Sequence, residues 1–165
     1  MDGEIEILAT KNGLKIPRFF TKVGEKTEDV FNYVKWVKRK SIIKDTSGNV
    51  IFEMKDVEVP EFWTQTATDI LAQKYFRKGD VKENSLKQVV KRLVKFWRYY
   101  GEINKMFESE EDANAFEAEV AYTLIFQIAA PNSPQWFNAG LYLAYGIKGD
   151  KSGLFYYDEN EKITK

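Results

Sequence analysis

The sequence predicts a mainly helical α+β domain that carries one β-hairpin. Three amphipathic or apolar stretches with helical spacing fill most of residues 60–130. Before them, residues 30–59 contain an alternating stretch, a turn with glycine and a second alternating stretch, which is the pattern of a hairpin. The chain of 165 residues is 44% hydrophobic and 15% aromatic, which suffices for a buried core. We therefore expect residues 1–165 to form a single unit.

Residues 1–29 show little hydrophobic periodicity and are predicted to form an extended arm. The first strand of the hairpin is predicted to begin at Val30, and its return strand covers Val50–Val59. The turn between them is Asp45–Asn49, whose glycine tolerates positive φ. A two-stranded ribbon is marginal alone and must pack on other elements. Three apolar side chains of the first strand are expected on its core face: Val34, Trp36 and Ile42.

The first two predicted helices lie between Pro60 and Gly101. Pro60 suits the first turn of a helix, and this helix is expected to end at Lys78–Asp80. The second helix begins at Ser85, where Ser-Leu-Lys-Gln matches a capping box, and Gly101 is expected to end it. Five basic side chains opposite its apolar stripe are interpreted as a solvated face: Lys87, Lys91, Arg92, Lys95 and Arg98.

The third helix is expected to start at Ser109, a hydroxyl cap that is followed by three carboxylates. Its second half, Val120–Ala130, is almost wholly apolar, so we expect it to be buried on most sides. Pro131 cannot continue the helix, and Pro134 fixes its own φ. The backbone after the helix is therefore predicted to be a stiff extended or turned loop. Further on, Leu154–Tyr157 predicts another strand.

The charge balance and the residue inventory exclude several classes of function. Lys+Arg and Asp+Glu number 25 each, so no net field attracts the chain to nucleic acid or to anionic lipid. No apolar run reaches the span of a bilayer, and the N-terminal residues lack the pattern of a signal peptide, so we expect a cytoplasmic protein. The chain has no cysteine and no histidine, which removes thiol nucleophiles, Cys/His metal sites and histidine-based catalysis.

The candidate site is the segment Pro131–Gly140. It offers the carboxamide of Asn132 and the hydroxyl of Ser133 between two prolines at the end of a buried helix, and stiff loops of this kind present polar atoms to ligands. Asn, Ser and Pro after a helix are also ordinary turn chemistry, which the residues alone favour. Trp136 and Phe137 are interpreted as anchors that fix the loop against the preceding helix.

The sequence Asn-Ser-Pro-Gln-Trp-Phe-Asn at residues 132–138 resembles the Asn-Ser-Pro-x-Trp-Phe-Asn motif of class II, adenosylcobalamin-dependent ribonucleotide reductases. This motif is highly specific. Other segments, from about residue 17 onward, resemble the family in their order and spacing and are less specific one by one: Arg18–Thr21, the hairpin up to Pro60, Phe62–Thr68, Gln73–Arg77, Ser85–Leu93 and Phe107–Ala113.

The resemblance implies the N-terminal domain of such a reductase, packed on the ten-stranded α/β barrel of the family. Members reduce ribonucleotides to deoxyribonucleotides with a thiyl radical generated by adenosylcobalamin, and their catalytic cysteines lie in the barrel. This chain has no cysteine, so we expect a fragment or one piece of a split enzyme that is inactive without the cysteine-bearing remainder. We also expect no tight binding of adenosylcobalamin by the chain alone. Residues 131–165 would comprise the substrate loop and the start of the barrel region.

The resemblance also implies one residue role. In the family the serine of the motif contacts the substrate phosphates, and that residue here is Ser133; a hydroxyl can donate to phosphate oxygens without a base. Asn132 and Pro134 would shape the loop. The choice between ribonucleoside diphosphate and triphosphate stays open, as does a homo-oligomeric state. The alternative is a non-catalytic helical interaction module, which a reading frame without cysteine-bearing barrel sequence would favour.

Overall fold

The computed structural model describes residues 9–10, 13–79, 81–148, 156–157 and 163–164. A 3₁₀ turn follows α1, and a π-helical turn, Leu71–Tyr75, continues α2. The helices and strands are β1 (Ala9–Thr10), β2 (Gly13–Leu14), α1 (Thr27–Val30), β3 (Trp36–Lys44), β4 (Val50–Pro60), α2 (Gln65–Ile70), α3 (Leu86–Ile103), α4 (Glu110–Ile125), α5 (Ser133–Asn138), α6 (Leu141–Tyr145), β5 (Tyr156–Tyr157) and β6 (Ile163–Thr164).

The predicted combination of helices with a hairpin is confirmed. Strands β3 and β4 pair antiparallel, from Trp36 opposite Pro60 to Lys44 opposite Val50. The strand does not begin at Val30, because Thr27–Val30 is helical and the Lys26 N–H donates to the Asp29 carboxylate at the start of that helix. Two further pairs of short strands are antiparallel, β1 with β2 and β5 with β6. Of the strand predicted at Leu154–Tyr157, the part before Tyr156 lies outside the described residues.

The prediction that Ile42 lies on the core face of the hairpin is wrong. The pairing register shifts between Arg39 and Ser41, so the alternation of inward and outward side chains reverses there. Ser41 is fully buried in consequence, and Ile42 is 38% exposed. Val34 and Trp36, which precede the bulge, are half-buried and pack against the core as expected.

The first helix begins later than predicted. Pro60 is the last residue of β4, a strand end where its missing N–H is tolerated, and its carbonyl accepts the Trp63 N–H at 3.0 Å. Thr64 caps α2 instead, because its hydroxyl accepts the Ala67 N–H at 3.1 Å. Helix α2 and the π turn after it end at Tyr75, before the predicted stop.

The predicted start of α3 is confirmed, and its predicted end is wrong. The Ser85 hydroxyl and the Gln88 carboxamide form the capping box. Gly101 lies inside α3, and the Phe107 ring fills the space that a Cβ there would need. The basic side of the helix is not uniformly solvated, since Arg92 is 2% exposed and Arg98 donates to the buried Glu117 at 2.9 Å.

Helix α4 starts as predicted and ends five residues early. The Ser109 hydroxyl accepts the Asp112 N–H at 3.2 Å, whereas the helix stops at Ile125. Gln127 then adopts φ +57°, and the Ile128 and Ala129 N–H groups both donate to the Thr123 carbonyl, which closes the helix end. Ile128 is therefore exposed, and the expected burial of Val120–Ala130 holds only as far as Ile125.

The core lies where the hairpin and the helices meet. Trp63 crosses it, and its indole N–H donates to the Ile125 carbonyl at 2.8 Å. Within the part of the chain that the structure describes, no helix has the length and apolar character needed to cross a bilayer. The largest fully buried apolar side chains come from the hairpin, α1, α3, α4 and the π turn: Val30, Val57, Val59, Leu71, Leu86, Val89, Val90, Leu93, Val94 and Ile125.

The N-terminal arm is fixed to α4 through several carboxylates, of which the buried Glu119 accepts the most hydrogen bonds. Glu119 is buried, and it accepts the backbone N–H groups of Phe19, Phe20 and Thr21 at 2.8–3.1 Å. The Thr21 hydroxyl donates to it at 2.6 Å. Burial acts to raise the pKa of Glu119, but the hydrogen bonds from Thr21, Phe19 and Phe20 outweigh it and hold the pKa below its ordinary value. The predicted arm is thus ordered along the helix in its described residues.

Candidate functional site

The segment predicted as a stiff loop contains helix α5. Asn132 is its N-cap, and the Asn132 side-chain oxygen accepts the Ser133 N–H at 2.8 Å. Pro134 lies in the first turn, where a helix needs no N–H from it. The expectation of an extended or turned backbone is therefore wrong beyond Asn132, because the two prolines bracket a helix start. The helix ends at Asn138, and Gly140 then starts α6.

The three predicted site residues stand together on the surface at the start of α5. Asn132, Ser133 and Pro134 are all exposed. The Ser133 hydroxyl lies 3.1 Å from the phenolic oxygen of Tyr75, which arrives from the π turn after α2. Two hydroxyl groups from distant parts of the chain are thus adjacent, and each can donate or accept a hydrogen bond.

The aromatic residues of the motif do fix the segment. Trp136 is 7% exposed and stacks on the Tyr75 ring with 5.5 Å between ring centroids. Phe137, which is 38% exposed, stacks on the same ring at 6.3 Å. Stacked aromatic pairs contribute about 0.5–1.5 kcal/mol each beyond their burial. Tyr75 is therefore held by both rings in the position that brings its hydroxyl to Ser133.

A buried ion pair lies directly behind α5. Arg92 of α3 and Glu83 are 2% and 1% exposed, and the Arg92 Nε donates to Glu83 Oε1 at 2.8 Å. Arg92 Nη2 also donates to Glu83 Oε2 at 3.2 Å. The guanidinium donates in addition to two backbone carbonyls of the segment, those of Ala139 and Trp136, at 2.7 Å each. Since a buried charge is tolerated only when paired and hydrogen-bonded, this network fixes the path of the backbone from Trp136 to Ala139.

Glu83 also collects two other donors. Its Oε2 accepts the Arg77 backbone N–H at 2.7 Å, and its Oε1 accepts the Tyr145 hydroxyl of α6 at 2.8 Å. Burial and the hydrogen bond to Glu83 raise the pKa of Tyr145, which keeps the phenol protonated as the donor. One carboxylate therefore ties together the end of the π turn, α3 and α6.

Gly140 allows the close approach of this segment to α3. Its φ is +76°, and a Cβ at this position would collide with the backbone carbonyl of Arg92. Only glycine combines this backbone conformation with that contact at no steric cost. Gly140 thus sets how tightly the segment packs on the helix that carries Arg92.

The sequence indicated the segment but not the residues that hold it. Arg92 carried a weak signal, because it lies three residues after Val89, at the edge of the apolar stripe of α3. No signal in the sequence indicated Glu83, Tyr75 or Tyr145. Tyr75 contacts Ser133 and Tyr145 contacts Glu83 across more than 40 positions of the chain, and the role of Glu83 depends on the burial of its partner Arg92. Trp136 is buried as expected of an anchor, but the ring that it and Phe137 stack on is Tyr75 of the π turn and not a ring of the preceding helix.

An apolar pocket of about 450 Å³ adjoins the site. Tyr75 lines this pocket and its hydroxyl also contacts Ser133, which is not among the lining residues. Among the described residues, no group of three or more His, Cys, Asp or Glu side chains is arranged to hold a metal ion. The remaining lining residues are Trp63, Ala67, Leu71, Leu124, Gln127, Ile128, Ala129, Ala130, Pro131 and Trp136.

Comparison with known proteins identifies the class of protein. The family model described as class II vitamin B12-dependent ribonucleotide reductase matches residues 37–127, which contain most of the hairpin and the helices up to the end of α4. That stretch is more than half of the chain. The chain therefore belongs to the class II vitamin B12-dependent ribonucleotide reductase family, as the motif predicts.

Individual relatives agree with the family match. The chain is 39% identical to a vitamin B12-dependent ribonucleotide reductase of Agrobacterium fabrum, over 92% of the chain and 15% of the relative. It is 40% identical to one of Bradyrhizobium diazoefficiens, over 76% of the chain and 13% of the relative. It is 44% identical to a vitamin B12-dependent ribonucleotide reductase of Streptomyces coelicolor, over 78% of the chain and 13% of the relative. The chain thus spans about one seventh of the length of these relatives.

Proposed function

We propose that the chain serves as the N-terminal, substrate-contacting part of an adenosylcobalamin-dependent ribonucleotide reductase that supplies deoxyribonucleotides for DNA synthesis. The Ser133 hydroxyl contacts a phosphate of the ribonucleoside diphosphate or triphosphate substrate. The observation that carries this role is the exposed Ser133 hydroxyl at the start of α5, on a backbone that Arg92 fixes from behind. A rigid support of this kind limits the freedom that a bound ligand would otherwise have to remove.

The chemistry available at Ser133 is binding and orientation. A hydroxyl donates a hydrogen bond to a phosphate oxygen at any pH near neutrality, since it needs no deprotonation to do so. The Tyr75 hydroxyl lies 3.1 Å from Ser133 Oγ. When Tyr75 donates this hydrogen bond, the serine proton is left to donate to a phosphate oxygen. Tyr75 is a positioning residue in this proposal, and Ser133 is the substrate contact.

The hardest chemical step belongs outside this chain. Radical reduction of a ribose needs cysteines in this family, and the chain has none. We infer that a cysteine-bearing remainder, joined covalently or as a separate chain, is the partner of this domain. Adenosylcobalamin would supply the radical in the complete enzyme. We assign the cofactor no residue of this chain.

The test is reconstitution of ribonucleotide reduction. The chain is mixed with the cysteine-bearing remainder, adenosylcobalamin and a dithiol, and reduction of ribonucleoside diphosphates and triphosphates is measured. Activity that needs both parts supports the proposal. A remainder that is fully active by itself contradicts it, and the chain would then be a non-catalytic interaction module.

Ser133→Ala in the reconstituted enzyme tests the residue assignment. Loss of one phosphate hydrogen bond should raise the KM for substrate by the equivalent of about 1–3 kcal/mol. Ser47→Ala is the matched control, because Ser47 is an exposed serine in the hairpin turn. Equal kinetics for Ser133→Ala and Ser47→Ala would remove Ser133 from the site while leaving the membership of the chain in the enzyme untouched.

A further inference from the structure

A row of stacked aromatic rings lies along the second half of α4. Phe20 of the N-terminal arm stacks on Tyr122 with 4.7 Å between ring centroids and 4° between ring planes. Tyr122 stacks in turn on Phe126 at 4.1 Å, and Phe126 stacks on Phe62 at 5.5 Å. Tyr33 meets Tyr122 edge-to-face at 6.0 Å. These five rings come from separate parts of the chain and form one continuous surface, which we call the aromatic ladder.

The aromatic ladder is open to solvent. Phe20 is 41%, Phe62 51% and Tyr33 37% exposed, whereas Tyr122 and Phe126 are half-buried and pack against the core. Large aromatic side chains bury about 150–250 Å² each when they are enclosed, so several open rings in one place leave much apolar area in water. A contiguous exposed apolar surface of this kind indicates a site that another molecule covers.

The composition of the aromatic ladder is that of a protein–protein interface. None of its five residues is charged, and charged groups lie at its edges. The Tyr33 hydroxyl donates to the Glu25 carboxylate at one edge. At the other edge Glu61, the residue before Phe62, pairs with Lys35 at 2.6 Å. An aromatic centre with a polar rim is typical of surfaces that bind another protein, because charges are depleted at the centre of such interfaces.

The aromatic ladder is ordered within the chain itself. The buried Glu119 accepts the Phe20 N–H at 3.1 Å and fixes the arm to α4. The Trp63 indole N–H donates to the Ile125 carbonyl at 2.8 Å, which fixes the chain next to Phe62 to the end of the same helix. Since the rings are already held in place, a partner that covers them orders few additional groups, and more of the interaction free energy is retained as affinity.

One end of the aromatic ladder reaches the apolar pocket that adjoins α5. Phe62 and Phe126 are the chain neighbours of Trp63 and Gln127, which both line this pocket. Ile128 lines it as well and is 56% exposed, so apolar surface continues from the ladder to the pocket. A partner that covers this end of the ladder therefore also borders the proposed substrate contact at the start of α5.

We propose that the aromatic ladder is the docking surface for the cysteine-bearing remainder of the reductase. The inference rests on the proposed function, in which a substrate held at Ser133 must also lie within reach of cysteines that this chain lacks. The remainder must therefore approach the surface around α5, with which the ladder is continuous. Because the chain spans about one seventh of the length of its relatives, the remainder is large enough to cover both. A second copy of the chain on the ladder would instead obstruct that approach.

The test is the affinity of the 165-residue chain for the remainder, prepared as a separate polypeptide and measured by biolayer interferometry. Phe62→Asp and Ile128→Asp should each raise the Kd at least about tenfold, because each places a charge inside an apolar interface. Ile51→Asp is the matched control, since Ile51 is 61% exposed and lies about 30 Å along β4 from Pro60. It should leave the Kd unchanged.

The outcomes distinguish this inference from the proposed function. If the wild type binds and Phe62→Asp and Ile128→Asp bind equally well, the docking surface is wrong and the proposed function stands. An effect of Ile51→Asp as large as that of Ile128→Asp would also overturn the docking surface. If the wild type does not bind the remainder, both fail. Circular dichroism checks folding, and Phe62→Ala, which should raise the Kd about fivefold or more, replaces any Asp variant that does not fold.

Sedimentation equilibrium of the chain alone tests the competing occupant. The chain should sediment as a monomer. Self-association that Phe62→Asp abolishes, with the affinity for the remainder unchanged, would overturn the proposal and assign the aromatic ladder to a second copy of the chain.

The activity of the mixture separates docking from substrate binding. An excess of the Phe62→Asp chain over its raised Kd should restore the rate of ribonucleotide reduction to that of the wild type, because mass action compensates for weak docking. The raised KM of Ser133→Ala should persist at any excess. A defect of Phe62→Asp that excess chain does not relieve would contradict a docking role.

Discussion

Two irregular segments of the molecule are each fixed to its helices in part by a buried carboxylate. The N-terminal arm is held by Glu119 of α4, and the segment that carries Ser133 is held through Glu83. Among the described residues, Glu119 accepts hydrogen bonds from neutral groups only, namely three backbone N–H groups and one hydroxyl. Glu83 instead pairs with the buried cation of Arg92. The comparison teaches that two buried carboxylates differ in what their loss leaves behind. Loss of Glu119 leaves unpaired neutral donors, whereas loss of Glu83 leaves an uncompensated buried charge.

The largest expected effect is that of Glu83→Gln. The substitution keeps the shape of the side chain but leaves the Arg92 guanidinium uncompensated, and breaking a buried pair typically costs about 3–5 kcal/mol. Urea unfolding should show this loss in the free energy of unfolding. The control is the double variant Glu83→Gln with Arg92→Met, which removes both charges and should lose less than the sum of the two single variants. Additive losses would mean that the pair is not coupled.

The second effect concerns the close packing of the Ser133 segment on α3. Gly140→Ala would force an L residue into φ +76° and press its Cβ into the Arg92 carbonyl, so we expect a loss of about 2–4 kcal/mol in the free energy of unfolding. Gly146 is the matched control, because its φ is +69° and a Cβ there would meet nothing within 4 Å. Gly146→Ala should lose only the backbone strain, about 1–2 kcal/mol. Equal losses would show that the contact with Arg92 contributes nothing.

The third effect concerns Glu119, the carboxylate whose hydrogen-bond donors are neutral groups. Glu119→Gln should lower the free energy of unfolding at pH 7 by about 1–3 kcal/mol, because it weakens charge-assisted hydrogen bonds without stranding a charge. It should therefore be milder than Glu83→Gln. A loss as large as that of Glu83→Gln would erase the distinction between the two carboxylates.

The pH dependence of the Glu119 contribution has a definite sign. Its pKa in the folded protein lies below the ordinary value of 4.5, so the ionised form is stabilised by folding. The stability that this adds is fully present above pH 4.5 and is lost as the pH falls through the folded pKa. The difference in unfolding free energy between the wild type and Glu119→Gln should thus shrink below pH 4.5. A difference that is constant from pH 7 down to pH 3 would contradict this account.

The comparison also separates what the sequence could predict from what it could not. The caps at Ser85 and Ser109 were predicted correctly because a capping interaction is formed within four residues of the chain. The predictions for the face of Ile42 and for the solvation of Arg92 were wrong because they depend on a bulge and on tertiary contacts. The helix at Ser133 was missed although its start is local, since Asn132 caps it and Pro134 lies in its first turn. The site motif was recognised by resemblance, whereas its support by Glu83 and Tyr75 required the fold.

The smallest expected effect is a gain in stability, and it concerns Gln127, where the chain leaves α4 for the Ser133 segment. Gln127 adopts φ +57°, a conformation that favours glycine at a helix end, and its side chain is exposed. Gln127→Gly should therefore raise the free energy of unfolding by about 0.5–1 kcal/mol. Lys95→Gly is the control, because Lys95 is exposed inside α3 and glycine there should cost about 1 kcal/mol. A gain in stability for Gln127→Gly with a loss for Lys95→Gly would show that backbone conformation determines the end of α4. The two segments held by Glu83 and Glu119 depend instead on side-chain hydrogen bonds. A loss in both would mean that the Gln127 side chain contributes contacts, at the pocket it lines, that outweigh the strain.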